Sequence, residues 1–422
     1  MKIFRIHKGW FILGITLLNL FACLGLGRFS LGAILPFMKE SLSMSYTEVG
    51  IIASAVFLGY LIGAISVGYF VQRFTAKRAI ILALIIVALG MGMSTVVFNF
   101  WSSYVSLLII GLGSGAANVA SLSIVGKWFS VKLRGMAMGI AQSGSGLGMV
   151  IGGFLVPSIM LVNNDGWRIS WGVLSIIVLL IIFINVIFLE DNPEELHLKP
   201  VGTKGKLKEE IKKNEKKENG LLIDHVYKDK TIILIGLIYL TWGFSYIIFS
   251  TFLVDYLIID TSIDSTKAGK YYAAAGIASI VSGFIWGILS DRIGRMLTLF
   301  IVYFFQSSLL LLLGLTKQPL LLLVVIILYA LSLWAVPTVI VAAVSDRTTA
   351  HKASMAIGFI TLFFGIGQWI SPMIIGALLD AYGSYKAAFF VSAFICYFGS
   401  LGCIVMHVKS KNKLRKVEKS PA

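Results

Sequence analysis

Apolar positions along this chain do not alternate with polar ones; they gather into twelve long runs separated by short polar stretches. The runs cover 10–37, 46–71, 79–99, 101–125, 136–160, 168–189, 231–258, 268–288, 296–315, 319–343, 355–377 and 385–407. An α-helix needs about 20 apolar residues to cross the hydrocarbon core of a bilayer. Backbone groups in lipid must bond to one another, which leaves helices or a closed barrel. Runs this long, without a period of two, predict helices. The chain therefore reads as an all-α membrane protein with twelve transmembrane helices. The opening "MKIFRIHKGWFILGITLLNLFAC" has the basic start and apolar middle of a signal peptide. Its apolar run continues to Met38, so it reads as the first span instead.

The longest polar stretch, 190–230, holds ten Lys and ten acidic residues, including "KLKEEIKKNEKKEN". It reads as a solvated cytoplasmic linker in which Glu–Lys pairs support some helix. It divides the chain into an N-terminal six-helix bundle, 1–189, and a C-terminal one, 231–408, followed by a basic cytoplasmic tail, 409–422. The composition agrees: 58% of residues are hydrophobic and 13% charged, against about 25% charged in soluble domains.

A formal net charge of +16 could suit a nucleic-acid binder, but its placement points elsewhere. With both termini cytoplasmic, 29 of the 36 Lys and Arg lie in cytoplasmic segments. Lys39, Arg168, Lys267, Lys270, Lys317 and Lys386 lie outside, and Arg28 lies within a span. That is the positive-inside distribution of a protein in the cytoplasmic membrane. The excess charge reads as topology and contact with the lipid bilayer, and no nucleic-acid partner is expected. Cys23, Cys396 and Cys403 sit in apolar runs with neither disulfide nor metal spacing. His7, His197, His225, His351 and His407 form no metal or nucleophile constellation, so no enzyme, metal or cofactor is expected.

The two halves share an internal repeat. "GYFVQR" begins at Gly68 and "GILSDR" at Gly287, an offset of 219. The same offset pairs Met136 with Met355, Ala137 with Ala356, Gly139 with Gly358, Gly146 with Gly365 and Gly148 with Gly367. Six spans separate the copies, an even number, so both have the same orientation. This predicts two parallel-repeat six-helix bundles related by an axis along the membrane normal.

On these residues the chain resembles the major facilitator superfamily of secondary transporters over essentially its whole length. The specific element is that family's loop motif, Gly-x-x-x-Asp-Arg-x-Gly-Arg, complete after the eighth run as "GILSDRIGR", Gly287 to Arg295. After the second run it is degraded: "GYFVQRFTAKR" has Gln72 where Asp is usual and Thr75 where Gly is usual. The resemblance implies a cytoplasmic gate. The motif carboxylate faces a helix start and pairs with arginine, an arrangement that dipole and guanidinium both favour. Carried over, Asp291 with Arg292 should latch the second half, with Gly287 and Arg295 in the same motif. Gly68, Gln72 and Arg73 are the counterparts in the first half, where Gln72 keeps a hydrogen bond but loses the charge. The resemblance further implies alternating access and a monomer.

Two family elements are absent. Drug–proton antiporters usually carry Gly-Pro before Gly-Gly in helix 5; here that helix reads "GSGLGMVIGGF", Gly144 to Phe154. Many members carry Arg ahead of a glycine run in helix 4; here Leu107 precedes "GLGSG", Gly111 to Gly115. "GRFSLGAILPFM" in helix 1 resembles an uncharacterised bacterial group. "GKWFSVKLRGMAMGIAQSGSGLG", from Gly126, and "DGWR", from Asp165, are similar to the oxalate–formate antiporter and monocarboxylate transporter branch. The basic residues that oxalate antiporters place in helices 8 and 11 are missing here.

One feature stands apart from family wording. Arg28 is the only formal charge between Gly9 and Met38. A charge within a span costs about 2.5–3.5 kcal/mol on the insertion scale, so it should face the bundle interior with a partner. The other spans hold no Asp or Glu well inside the apolar core; Glu48, Asp255 and Asp291 lie near helix ends. The repeat partner of Arg28 is Ile247, which adds no charge. Arg28 is therefore a candidate for binding the anionic group of a small-molecule substrate, since guanidinium binds carboxylate bidentately and stays protonated. Snorkelling to the interface, bonds to helix-end carbonyls, or a structural tie between helices are the competing roles. On an α-helix Phe21, Leu24, Gly25 and Gly32 share its face, and Asn19 points away.

Further candidate substrate contacts are Tyr60, Asn118 and Gln142 in the first half, and Trp242, Tyr246, Trp334 and Gln368 in the second. Pockets commonly combine aromatic walls with a few orienting polar groups. One cation favours a monoanion. The expected function is secondary active transport of a small organic anion, with a monocarboxylate favoured and a coupling proton left open. An exporter of amphipathic drugs is the second reading and predicts transport independent of Arg28. A non-transporting membrane sensor predicts binding without flux.

Overall fold

A computed structural model describes residues 7–162, 165–203, 228–348 and 350–418. Twelve of its helices are long and apolar enough to cross a membrane. They are α1 (Lys8–Ser41), α2 (Tyr46–Arg73), α3 (Ala76–Ser94), α4 (Phe100–Trp128), α5 (Leu133–Met160), α6 (Gly166–Phe188), α7 (Lys230–Ile259), α8 (Ser265–Ile293), α9 (Arg295–Leu315), α10 (Pro319–Ser345), α11 (Met355–Tyr382) and α12 (Tyr385–Lys409). Each corresponds to one predicted run, with ends a few residues apart. Local signals set several starts. Ser45 and Glu48 form a capping box at α2, and Asn99 accepts from the Ser102 amide at α4, satisfying N–H groups that have no intrahelical partner. The last helix continues as far as Glu418, into the stretch expected as a tail. Residues 204–227 of the expected linker and 419–422 of the tail lie outside the described residues.

The chain forms two compact units: Met1–Asn219 with Ser250–Ile280, and Gly220–Phe249 with Val281–Ala422. Thus α7 and α8 each contribute to both, whereas the sequence pattern places each wholly in the second bundle.

Within the first unit the helices approach closely wherever glycine removes a side chain. A Cβ on Gly148 of α5 would fall on the Gly25 backbone of α1, and one on Gly115 of α4 on the Tyr60 carbonyl of α2. The second unit repeats these pairings. A Cβ on Gly367 of α11 would fall on the α7 backbone around Leu240, and one on Gly283 of α8 would meet α10 at Thr338. Helix pairs related by the 219-residue offset therefore pack by the same device, as a parallel repeat requires. Asn19 of α1 faces Asn185 of α6 and exchanges two amide hydrogen bonds with it, of 2.9 and 2.6 Å. It is occupied there and stays out of the candidate site.

The first residues of the expected solvated linker are folded against the first unit. Asp191, Pro193 and Val201 are buried. Val201 forms an isolated bridge with Phe129, donating to the Trp128 carbonyl at 2.8 Å and accepting from Ser130 at 3.0 Å. Charge density alone marked this stretch as solvated, but its apolar residues and backbone groups find partners at the ends of α1, α3 and α4.

Five helices are interrupted. In α1, Phe21–Phe29 winds as a nine-residue π-helix. α5 breaks at Ser143, α7 at Tyr246, α8 at Val281 and α10 over 331–334. Pro337 explains the last: it has no N–H for the Leu333 carbonyl and its ring crowds that group. Other carbonyls in the α10 break are taken by side chains. Trp286 donates to Leu331 at 3.0 Å and Gln306 to Ser332 at 2.8 Å. This satisfies the rule that freed backbone groups at membrane depth need internal partners.

Candidate functional site

Four predicted site residues coincide with these interruptions. Arg28 lies in the π-helical stretch, Gln142 precedes the α5 break, Tyr246 is the α7 break, and Trp334 ends the α10 break. π-Helical insertions are rare and concentrate at functional sites. The wider turn also changes the face expected from α-helical spacing. Gly25 lies against α5 and Gly32 against the Ser250 carbonyl, while Arg28 is directed elsewhere, towards α2.

In the first unit Arg28 is 7% exposed. Its guanidinium carbon lies 4.6 Å from the Phe57 ring centroid, 5.2 Å from Tyr60 and 5.6 Å from Phe29. Such contacts stabilise a cation by about 0.5–2 kcal/mol. The Tyr60 hydroxyl accepts a 2.7 Å hydrogen bond from Asn118 Nδ2. The backbone approach at Gly115 places Asn118, one turn along α4, within reach of α2. Asn118 Oδ1 is buried and has no hydrogen-bond partner among the described residues. Arg28, Tyr60 and Asn118 are therefore one cluster. Gln142 is half-buried, and among the described residues no hydrogen bond joins its side chain to that cluster. Phe57 belongs to the cluster and was missed from sequence. Its signal was its position three residues before Tyr60 on the same helix face.

Asp255 corrects the expectation of an acid-free interior. It lies four residues before the end of α7, near a helix end as expected, yet it is 4% exposed and belongs to the first unit.

In the second unit the predicted residues also assemble. Trp242 stacks on Tyr246 at 4.5 Å and meets Trp334 edge-on at 6.5 Å. Phe364 stacks on Trp242 at 5.3 Å and on Tyr239 at 4.6 Å, extending the column. Gln368 Nε2 donates to the Tyr246 hydroxyl. Trp242 Nε1 and Gln368 Oε1 are buried without hydrogen-bond partners among the described residues. Phe364 and Tyr239 were missed, although one lies four residues before Gln368 and the other three before Trp242.

The loop motif differs from expectation in both copies. Asp291 pairs not with Arg292 but with Arg295, the first residue of α9, across the break at Gly294. Arg295 also binds Asp346 at 2.9 Å and donates to Ser290 Oγ at 2.6 Å. Asp346, beyond the end of α10, was not foreseen. Gly294 has φ +95°, a conformation that glycine adopts without steric cost. Its counterpart Thr75 has φ −166° and caps α3 by accepting from the Arg78 amide. Gln72 is exposed, and Arg73 donates to Tyr69. The carboxylate at the start of α3 comes instead from Asp191, which accepts from the Lys77 amide at 2.8 Å. Gly68 is open and Gly287 makes ordinary contact with Thr338. Among the described residues, no group of three His, Cys, Asp or Glu could hold a metal ion.

Comparison with known proteins gives concordant matches. The hexuronate transporter of Bacillus subtilis is 22% identical, over 90% of each chain. A probable sulfoacetate transporter of Cupriavidus necator is 24% identical, over 96% of this chain and 95% of its own. The crystal structure of a D-xylose–proton symporter superposes with a TM-score of 0.75 at 14% identity, covering 93% of this chain and 97% of that one. The Major Facilitator Superfamily model matches residues 17–353 and 307–421. With twelve membrane-length helices in a parallel repeat and a family model that spans nearly the whole sequence, the chain belongs to the Major Facilitator Superfamily of multi-pass membrane transporters.

Proposed function

We propose that this protein carries a small organic monoanion, favouring a monocarboxylate, across the cytoplasmic membrane by alternating access. Both termini are cytoplasmic, the six-helix halves are the moving parts, and Arg28 binds the anionic group. The observation that carries this reading is the placement of Arg28: a buried guanidinium on a π-helical turn, beside the hydrogen-bonded Tyr60–Asn118 pair. Guanidinium presents its donors as a planar fork that matches a carboxylate. Asn118 Oδ1 adds an acceptor for a substrate hydroxyl. The hexuronate and sulfoacetate relatives are both named for organic acids, which supports the anion class. Asp255, buried within α7, is the acid through which a coupling proton would pass. The Arg295–Asp291–Asp346 and Asp191–α3 contacts hold the cytoplasmic ends of their own units.

The aromatic column of the second unit favours one other reading, an exporter of amphipathic compounds. Uptake into proteoliposomes decides between them, using radiolabelled pyruvate, benzoate and glucuronate beside a quaternary amine, for the native protein and Arg28→Gln. Anion uptake that Arg28→Gln abolishes supports the proposal. Amine transport that both proteins perform equally replaces it with the exporter. Binding of an anion without flux in either protein replaces it with a sensor.

A further inference from the structure

Two adjoining cavities open among helix ends of the second unit, away from the aromatic column. The larger, about 450 Å³, has three cations on its lining: Lys230 at the start of α7, Arg347 just past α10, and Lys409 at the end of α12. The smaller, about 360 Å³, shares Arg347 and reaches His407 and the Arg295–Asp346 pair. The acidic groups here are already engaged. Asp229 accepts from the Thr231 amide at 2.7 Å, and Asp346 is held by Arg295. Among the described residues, Lys230, Arg347 and Lys409 form no ion pair. Three like charges thus line one cavity, and among the described residues no carboxylate pairs with them.

The rest of the lining is apolar: Ile232, Leu234 and Met406. Leu401 and Val405, both exposed, precede Lys409 at four-residue steps along α12. A soluble anion has no use for such a wall. A molecule with an anionic head and hydrocarbon chains matches both parts, and basic pockets between helix ends take lipid headgroups. We propose that this groove binds the phosphate headgroup of an anionic phospholipid such as phosphatidylglycerol, with the acyl chains along α12. On the proposed orientation this is the cytoplasmic leaflet; nothing else in the inference depends on the transport reading.

Native mass spectrometry of the full-length protein, titrated with phosphatidylglycerol and with phosphatidylcholine, tests it. Phosphatidylglycerol should bind more tightly. Each substitution, Lys230→Gln, Arg347→Gln or Lys409→Gln, should weaken it about fivefold, and the triple variant about a hundredfold. The variant Arg73→Gln/Lys77→Gln/Arg78→Gln removes the same charge from the first unit and should leave that site unchanged. Equal binding of both lipids, or equal loss in the two triple variants, overturns the proposal. So does displacement of phosphatidylglycerol by millimolar inorganic phosphate, which would make the groove a site for soluble phosphate. Where the triple variant fails to fold, Arg347→Gln alone carries the test.

Discussion

Replacing Arg28 by Gln, and separately by Lys, separates a binding role from a structural one. The native side chain gains about 0.5–2 kcal/mol from its ring contacts with Phe29, Phe57 and Tyr60. Against that, a cation at 7% exposure has lost most of its hydration, a penalty of several kcal/mol before compensation. Gln removes both effects, and the penalty is the larger, so the substitution should cost at most about 1 kcal/mol of stability. Anion binding should respond far more. A hydrogen bond to a charged group contributes about 1.5–3 kcal/mol, and a bidentate fork makes two. Gln should therefore weaken monocarboxylate binding at least a hundredfold. Lys keeps the charge but loses the fork, and should weaken it about tenfold. Thermal unfolding with and without a panel of carboxylates measures both quantities on one sample. The reasoning is refuted if Arg28→Gln binds the stabilising carboxylate within about threefold of native while losing more than about 3 kcal/mol of stability. That result would make Arg28 a tie between α1 and α2.

Four further outcomes follow from named contacts. Gly148→Ala places a Cβ on the Gly25 backbone and should cost more than about 2 kcal/mol in thermal unfolding, whereas Gly139→Ala, with open space around it, should be neutral. Asn19→Leu alone strands the Asn185 amide and should cost about 1–3 kcal/mol; adding Asn185→Leu should recover much of that in a double-mutant cycle. Arg295→Gln should lower stability by about 1 kcal/mol, less at high salt, because its partners are more than half exposed, while Arg292→Gln should change little. Asp255→Asn should abolish acidification-driven uptake but leave substrate exchange intact; unchanged proton-driven uptake would remove Asp255 from coupling.

What the sequence determined by itself are properties that a local window contains. Twelve apolar runs specify twelve spans because crossing length and internal backbone bonding are set by lipid, not by neighbouring helices. Of the glycines matched by the 219-residue offset, Gly148 and Gly367 are the pair whose close packing, of α5 on α1 and of α11 on α7, leaves no room for a Cβ. Trp242 and Tyr246 are four residues apart, so their shared face was legible, whereas the contacts of Asn118 with Tyr60 and of Gln368 with Tyr246 join distant helices. Tertiary structure decided whatever depends on a partner distant in sequence. The α10 interruption had a local cause in Pro337, but its stability rests on Trp286 and Gln306 from α8 and α9. The π-helical turn under Arg28 has no sequence signature of its own; it exists where α1 must meet Gly148 on one side and Phe57 on another. Asp191 takes the helix start that Gln72 could not serve, from more than a hundred residues away. The burial of Asp255, in the part of α7 that belongs to the first unit, was likewise not visible in its position near a helix end. Helix identity is a local matter of lipid and backbone, whereas burial and hydrogen-bond partnership are settled only when the helices meet.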